Sequence, residues 1–153
     1  ARALLAGLAK AKASSIRLFN RTSLKAQKLV QEFKPIFSKC KMRHVEKNDL
    51  QGLECDLLIN ATSAGMNNNE IAYDLNYASD IGHISDIIYN PPQTPLLKQA
   101  EKLGIPCHNG ISMLLYQGCE SFTFWTGHIA PEEQMRQALI TQLKKKSLVN
   151  RLT

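Results

Sequence analysis

Short apolar runs alternate with segments of helical period along nearly the whole chain, and this alternation limits the fold more than any other feature. The apolar stretches around Ile16, Leu57 and Ile87 are too short for helices and are bounded by Asn, Gly and Pro, whereas the segments between them repeat apolar residues every three to four positions. The pattern predicts helix over about 2–12, strand over 15–19, helix over 23–34, a short strand over 42–45, and strands over 56–60 and 83–89. A helix follows from Thr94, with Pro95 suited to its first turn and Gly104 beyond its end. A short strand over 105–108, a helix over 110–127 and a helix over 131–146 complete the chain, the last opened by Pro131-Glu132-Glu133. The polar loop from Asn67 to Ile81 is expected to be exposed. Such alternation implies an α/β fold, Rossmann-like and doubly wound, with a mostly parallel sheet and helices on both faces.

With 153 residues and 44% hydrophobic content, the chain suits one domain. No apolar stretch is long enough to span a bilayer, and the N-terminus has no signal-peptide pattern, so no membrane partner and a cytoplasmic location are expected. The formal charge of +6 raises nucleic-acid binding, but the cations are dispersed; Lys144-Lys145-Lys146 reads as a solvated helix end. No nucleic-acid partner is expected, and the charge suits an anionic cofactor. Cys40, Cys55, Cys107 and Cys119 form no C-x-x-C pair and are expected as free thiols. His44, His83, His108 and His128 have no ligand spacing, so no metal site is expected.

Three segments carry the chemistry. Asn20-Arg21-Thr22 follows the strand Ile16-Arg17-Leu18-Phe19, with Lys25 three residues further on. In a dinucleotide-binding βαβ unit the second strand ends beside the adenosine ribose. A carboxylate there would suit a free 2′-hydroxyl; a guanidinium and an ammonium suit a 2′-phosphate, so NADP is the expected cofactor. A solvated turn with Thr22-Ser23 as a helix cap is the plainer alternative. The second segment, Asn60-Ala61-Thr62-Ser63-Ala64-Gly65-Met66, leaves the carboxyl end of a strand, where open α/β sheets bind ligands. The third runs from Asp86-Ile87-Ile88-Tyr89-Asn90-Pro91-Pro92-Gln93-Thr94-Pro95 to Asn109-Gly110-Ile111-Ser112-Met113-Leu114-Leu115-Tyr116-Gln117.

In order and spacing these segments resemble the C-terminal half of the shikimate dehydrogenase family, NADP-dependent enzymes of aromatic amino-acid biosynthesis that interconvert shikimate and 3-dehydroshikimate. The resemblance implies that Asn20, Arg21, Thr22 and Lys25 hold the 2′-phosphate, and that Asn60, Thr62, Ser63 and Gly65 pack along the cofactor. It further implies that the Ile87 backbone, Gly110 and Met113 meet the nicotinamide, and that Tyr89 and Gln117 reach substrate. Lys25 stands where Arg is also common, Asn109 where many relatives carry an acid, and Ser112 where glycine is frequent. No G-x-G-x-x-G is present, and Gly7 lies within a helical pattern. Residues 1–153 are therefore expected to form a partial NADP-binding domain that includes the helices from about 110 to 146. The first strand, the phosphate loop and a substrate domain bearing the family's catalytic Lys and Asp are expected outside it. On that reading no catalytic residue lies in this chain, and the chain alone is inactive. A quinate/shikimate dehydrogenase relative and a noncatalytic nucleotide-binding module are the alternatives.

Overall fold

The computed structural model describes residues 1–149, with side chains to Leu143; the side chains of Lys144-Lys145-Lys146 lie outside the described residues. The chain falls into two units, Ala1–Glu54 with Tyr77–Asp80, and Cys55–Asn76 with the chain from Ile81 onward.

In the first unit, helix α1 (Arg2–Lys10) leads to strand β1 (Ser15–Leu18), helix α2 (Ser23–Phe33) and strand β2 (Lys41–His44). β1 and β2 pair in parallel from Ser15 opposite Lys41 to Leu18 opposite His44. A helix between two strands permits this pairing, since parallel strands need a crossover. α1 contributes Leu5, Ala6 and Ala9 to a core with Phe33, Cys40, Met42, Leu29 and Val30, and the spacing of the α1 residues puts them on one helix face. Gly7 is an ordinary helical residue on the exposed side, with open space where a Cβ would stand. Phe33 stacks on Phe37, ring centroids 6.1 Å apart, closing the core where α2 ends. The short helical turn Lys47–Leu50 follows β2.

A second sheet has the order β3-β4-β5, formed by Leu53–Asn60, Ala78–Asp86 and Cys107–His108. β4 and β5 are parallel, with Ile84 opposite Cys107 and Ser85 opposite His108. Helix α3 (Pro95–Lys102) connects them, with Leu96, Leu97 and Ala100 buried at helical spacing. Each leucine so buried contributes about 1.5–3 kcal/mol. Helix α4 (Ile111–Thr126) ends on Gly127, whose φ of +70° is the left-handed C-terminal cap that glycine adopts without strain. Helix α5 (Glu132–Val149) opens with two acids in its first turn, complementing the helix dipole.

The parallel α/β architecture matches the sequence pattern, and no strand among the described residues joins β1 to β3. Other boundaries differ. β4 starts at Ala78 and ends at Asp86, so it begins inside the loop expected to be exposed and stops before Ile87, Ile88 and Tyr89. Leu75 and Ile81 in that loop are buried, at 3% and 6% exposure. Pairing with neighbouring strands imposes extended structure on Ala78-Ser79-Asp80, residues with little strand preference of their own.

Candidate cofactor site

In the first unit the turn after β1 is shaped by Asn20, whose Oδ1 accepts the Thr22 N–H at 2.8 Å. This side-chain turn sets the direction in which Arg21 leaves the strand. Arg21, Thr22 and Lys25 are exposed. Thr22 occupies the position preceding α2 but makes no side-chain capping bond, so its hydroxyl is not committed to the helix as the plainer alternative required. The Ser23 hydroxyl donates to Glu46 beyond β2, which ties the start of α2 to the end of the neighbouring strand.

The second unit is organised around a buried carboxylate. Asp86 closes β4 at 0% exposure, with Thr94 also at 0% and Asn60 at 4%. Asp86 Oδ1 accepts from Asn60 Nδ2 at 3.1 Å and from the Ile88 N–H at 3.0 Å, while Oδ2 accepts from the Thr94 hydroxyl at 2.7 Å. Asn60 Oδ1 in turn accepts the Thr62 N–H at 3.0 Å and the Thr62 hydroxyl at 2.7 Å, and Thr62 Oγ1 accepts the Ala64 N–H at 3.1 Å. Buried polar groups must be paired, and here the pairing joins the segments after β3 and β4 to the start of α3. The Thr94 hydroxyl also accepts the Leu97 N–H as the helix cap, at 3.4 Å.

Two glycines fix how closely these segments approach. Gly65 is buried with φ +89°, and a Cβ there would stand 3.1 Å from Pro95 Cδ and 3.3 Å from Thr94 Cβ. A Cβ on Gly110 would lie 2.0 Å from the Ile87 carbonyl oxygen. The Gly110 N–H donates to the Ile88 carbonyl at 3.0 Å and its own carbonyl accepts the Leu114 N–H at 3.0 Å. Asn109 anchors the same crossing through Nδ2, which donates to the Pro92 carbonyl at 2.8 Å. A cleft of about 480 Å³ opens beside Gly65, lined also by Met66, Asn90, Gln93 and Lys98.

Asn60, Thr62 and Gly65 are thus brought together with the start of α3, and Ile87 with Gly110. Ser63 joins the same turn through its carbonyl, which accepts the Met66 N–H at 3.1 Å. Tyr89 and Met113 stand at 39% and 36% exposure. Gln117 is exposed, so burial does not oblige it to find a partner; it lies one turn beyond Met113, on the same side of α4. Asn20, Arg21, Thr22 and Lys25 belong to the other unit. Sequence reasoning passed over Asp86 and Thr94. Their signal was an acid closing an apolar strand and a threonine directly before Pro95.

The chain is similar to several known proteins. A family model described as the shikimate 5′-dehydrogenase C-terminal domain matches residues 110–140. Over 150 residues the chain is 37% identical to the shikimate dehydrogenase (NADP(+)) of Methanopyrus kandleri, a match covering 94% of this chain and 52% of that protein. The chain is thus similar to about half of a shikimate dehydrogenase, and its residues 110–140 to the C-terminal domain of that family. It spans about half the length of the curated relatives it matches. A shikimate 5-dehydrogenase from Thermus thermophilus, solved in complex with NADP(H) and shikimate, superposes with a TM-score of 0.76 at 26% identity, over 91% of this chain and 50% of that one. The Listeria monocytogenes shikimate 5-dehydrogenase, in complex with shikimate and NAD, gives 0.78 at 26% identity, over 90% and 51%. No helix among the described residues is long and apolar enough to cross a membrane.

Proposed function

We propose that this chain is the NADP-binding part of a cytosolic shikimate dehydrogenase that interconverts shikimate and 3-dehydroshikimate in aromatic amino-acid biosynthesis. The observation that carries the reading is the 37% identity over 94% of the chain to a shikimate dehydrogenase (NADP(+)). We assign residues 1–153 to one cofactor-binding domain.

The residues present fit the cofactor. Arg21 and Lys25 place two exposed cations after β1, where Arg21 offers a planar pair of donors to a 2′-phosphate and Asn20 and Thr22 shape the turn. Asn60, Thr62, Ser63 and Gly65 form a turn held by the buried Asp86. The close crossing of Gly110 on Ile87 leaves no room for a side chain between the two backbones, so a flat ring laid there would meet main chain on both residues. Met113 supplies a partly exposed apolar surface for that ring. Bound NADP⁺ supplies the hydride acceptor. Tyr89 and Gln117 direct hydroxyl and amide groups at the polyol. Proton transfer at the alcohol oxygen requires an acid or base within hydrogen-bond reach, and by the family resemblance this is the work of the Lys and Asp of a substrate domain. Phe124, Trp125 and Ile129 stand exposed around the end of α4, at 85%, 79% and 94%, apolar side chains that such a partner domain would cover.

The test joins this chain to a substrate domain and follows nicotinamide absorbance with shikimate, using quinate for comparison. Turnover of shikimate with NADP⁺ is expected. NADPH binding without turnover of either polyol would replace the dehydrogenase with a nucleotide-binding module.

A further inference from the structure

We propose that His83 and His108 form a two-nitrogen chelate for a divalent transition ion that takes ligands at right angles, Cu²⁺ or Ni²⁺. Twenty-five residues separate the two histidines, a spacing that announces no ligand pair. The parallel register of β4 and β5 brings them together. Ser85 stands opposite His108, and His83, two residues before Ser85, shares its face of the sheet. His83 Nε2 and His108 Nδ1 are 2.7 Å apart, the ring centroids 4.9 Å apart and the planes inclined by 40°.

Facing ring nitrogens at this distance must share one proton, one nitrogen donating and the other accepting. On metal binding the donor ring carries its proton on its other nitrogen instead, and each neutral ring gives a lone pair to the ion. The separation selects among ions. With metal–nitrogen bonds of about 2.0–2.1 Å, cis ligands of a square-planar or octahedral ion stand about 2.9 Å apart, and tetrahedral ligands about 3.3 Å. In the free pair 2.7 Å is a hydrogen-bond distance, so the rings must turn before both lone pairs reach one ion, and the shorter cis span of Cu²⁺ and Ni²⁺ asks for less opening than the tetrahedral span of Zn²⁺; imidazole is a poor ligand for Mg²⁺ and Ca²⁺. Among the described residues no third His, Cys, Asp or Glu completes a cluster, so water fills the remaining positions and the ion exchanges freely. His108 is exposed and β5 lies at an edge of its sheet, which gives the ion a path of entry. An ion so held would pin β5 to β4 two residues before Gly110.

Calorimetric titration with NiCl₂ and with ZnCl₂ tests the site on the wild-type protein and on H83Q, H108Q and H44Q. One equivalent of Ni²⁺ is expected, bound more tightly than Zn²⁺. H83Q and H108Q should each weaken Ni²⁺ binding at least tenfold, with H44Q unchanged. Ni²⁺ should also raise the unfolding midpoint of the wild-type protein and leave that of H108Q where it is. Undiminished Ni²⁺ binding by H108Q, or none by the wild-type protein, would overturn the proposal, and tighter binding of Zn²⁺ would overturn the assignment of geometry. Should H83Q fail to fold, the exposed H108Q position decides the matter alone.

Discussion

Replacing Thr94 by valine removes one hydroxyl from the Asp86 network and leaves the shape of the site almost unchanged. Valine keeps the Cβ that packs toward Gly65, so cavity formation contributes little. The lost bond is the 2.7 Å contact to Asp86 Oδ2, between two residues at 0% exposure. Leaving a buried acceptor without its donor costs about 1–3 kcal/mol. The capping bond to Leu97 is long, at 3.4 Å, and its loss adds a contribution near the low end of about 0.5–2 kcal/mol. Together Thr94→Val should destabilise the protein by about 2–4 kcal/mol. With a urea slope of about 2 kcal/mol per molar, the unfolding midpoint should fall by about 1–2 M. Thr94→Ser restores the hydroxyl and should recover most of the loss. The assay is urea unfolding of the three proteins followed by circular dichroism. A loss below about 0.5 kcal/mol for valine, or equal losses for valine and serine, would show that the hydroxyl does not hold the network.

Arg21→Ala should weaken NADPH binding by about 1.5–3 kcal/mol, the worth of a hydrogen bond to a charged group, and barely change NADH binding; equal losses by nicotinamide fluorescence would remove the 2′-phosphate clamp. Gln117→Ala, in the protein joined to its substrate domain, should raise the shikimate KM severalfold at constant NADPH affinity, and an unaltered KM would return Gln117 to the role of a solvated residue. The Asp74 carboxyl is held below its ordinary range by the Gln99 amide first and the Asn76 N–H second. A depressed carboxyl stabilises the fold above the pKa of the unfolded chain, and the contribution is lost as pH falls through the folded value. Gln99→Ala should therefore move the Asp74 titration upward by NMR, and the part of its destabilisation due to Asp74 should vanish in acid; an unmoved titration would break the link.

What the sequence made legible was whatever depends on local period and punctuation. The helix after Thr94 starts with Pro95 at its first position and stops before Gly104, as those residues require, and α4 ends on Gly127 for the same reason. The start of β4 was hidden because Ala78-Ser79-Asp80 has no strand preference and is extended only through its neighbours. Asp86 was visible as a residue, but its importance lies in contacts with Asn60 and Thr94, 26 and 8 residues away, which no periodicity encodes. The His83 and His108 pair was invisible for the same reason: it exists only once β4 and β5 are in register. The turn residues of the site were easier to find, since Asn20 and Asn60 each accept from a backbone N–H two residues on, a habit that belongs to the residue type.

The crossing at Gly110 also bears on the genetics of the protein. A side chain placed there meets the carbonyl of Ile87, an atom every amino acid possesses. Most harmful core substitutions can be relieved elsewhere, by trimming the neighbour that was struck, but a collision with the main chain offers no neighbour to trim. A screen for second-site suppressors of Gly110→Ala should accordingly return reversion to glycine and no compensating change at Ile87. The position is closed to gradual drift, and variation in this part of the protein must pass around it.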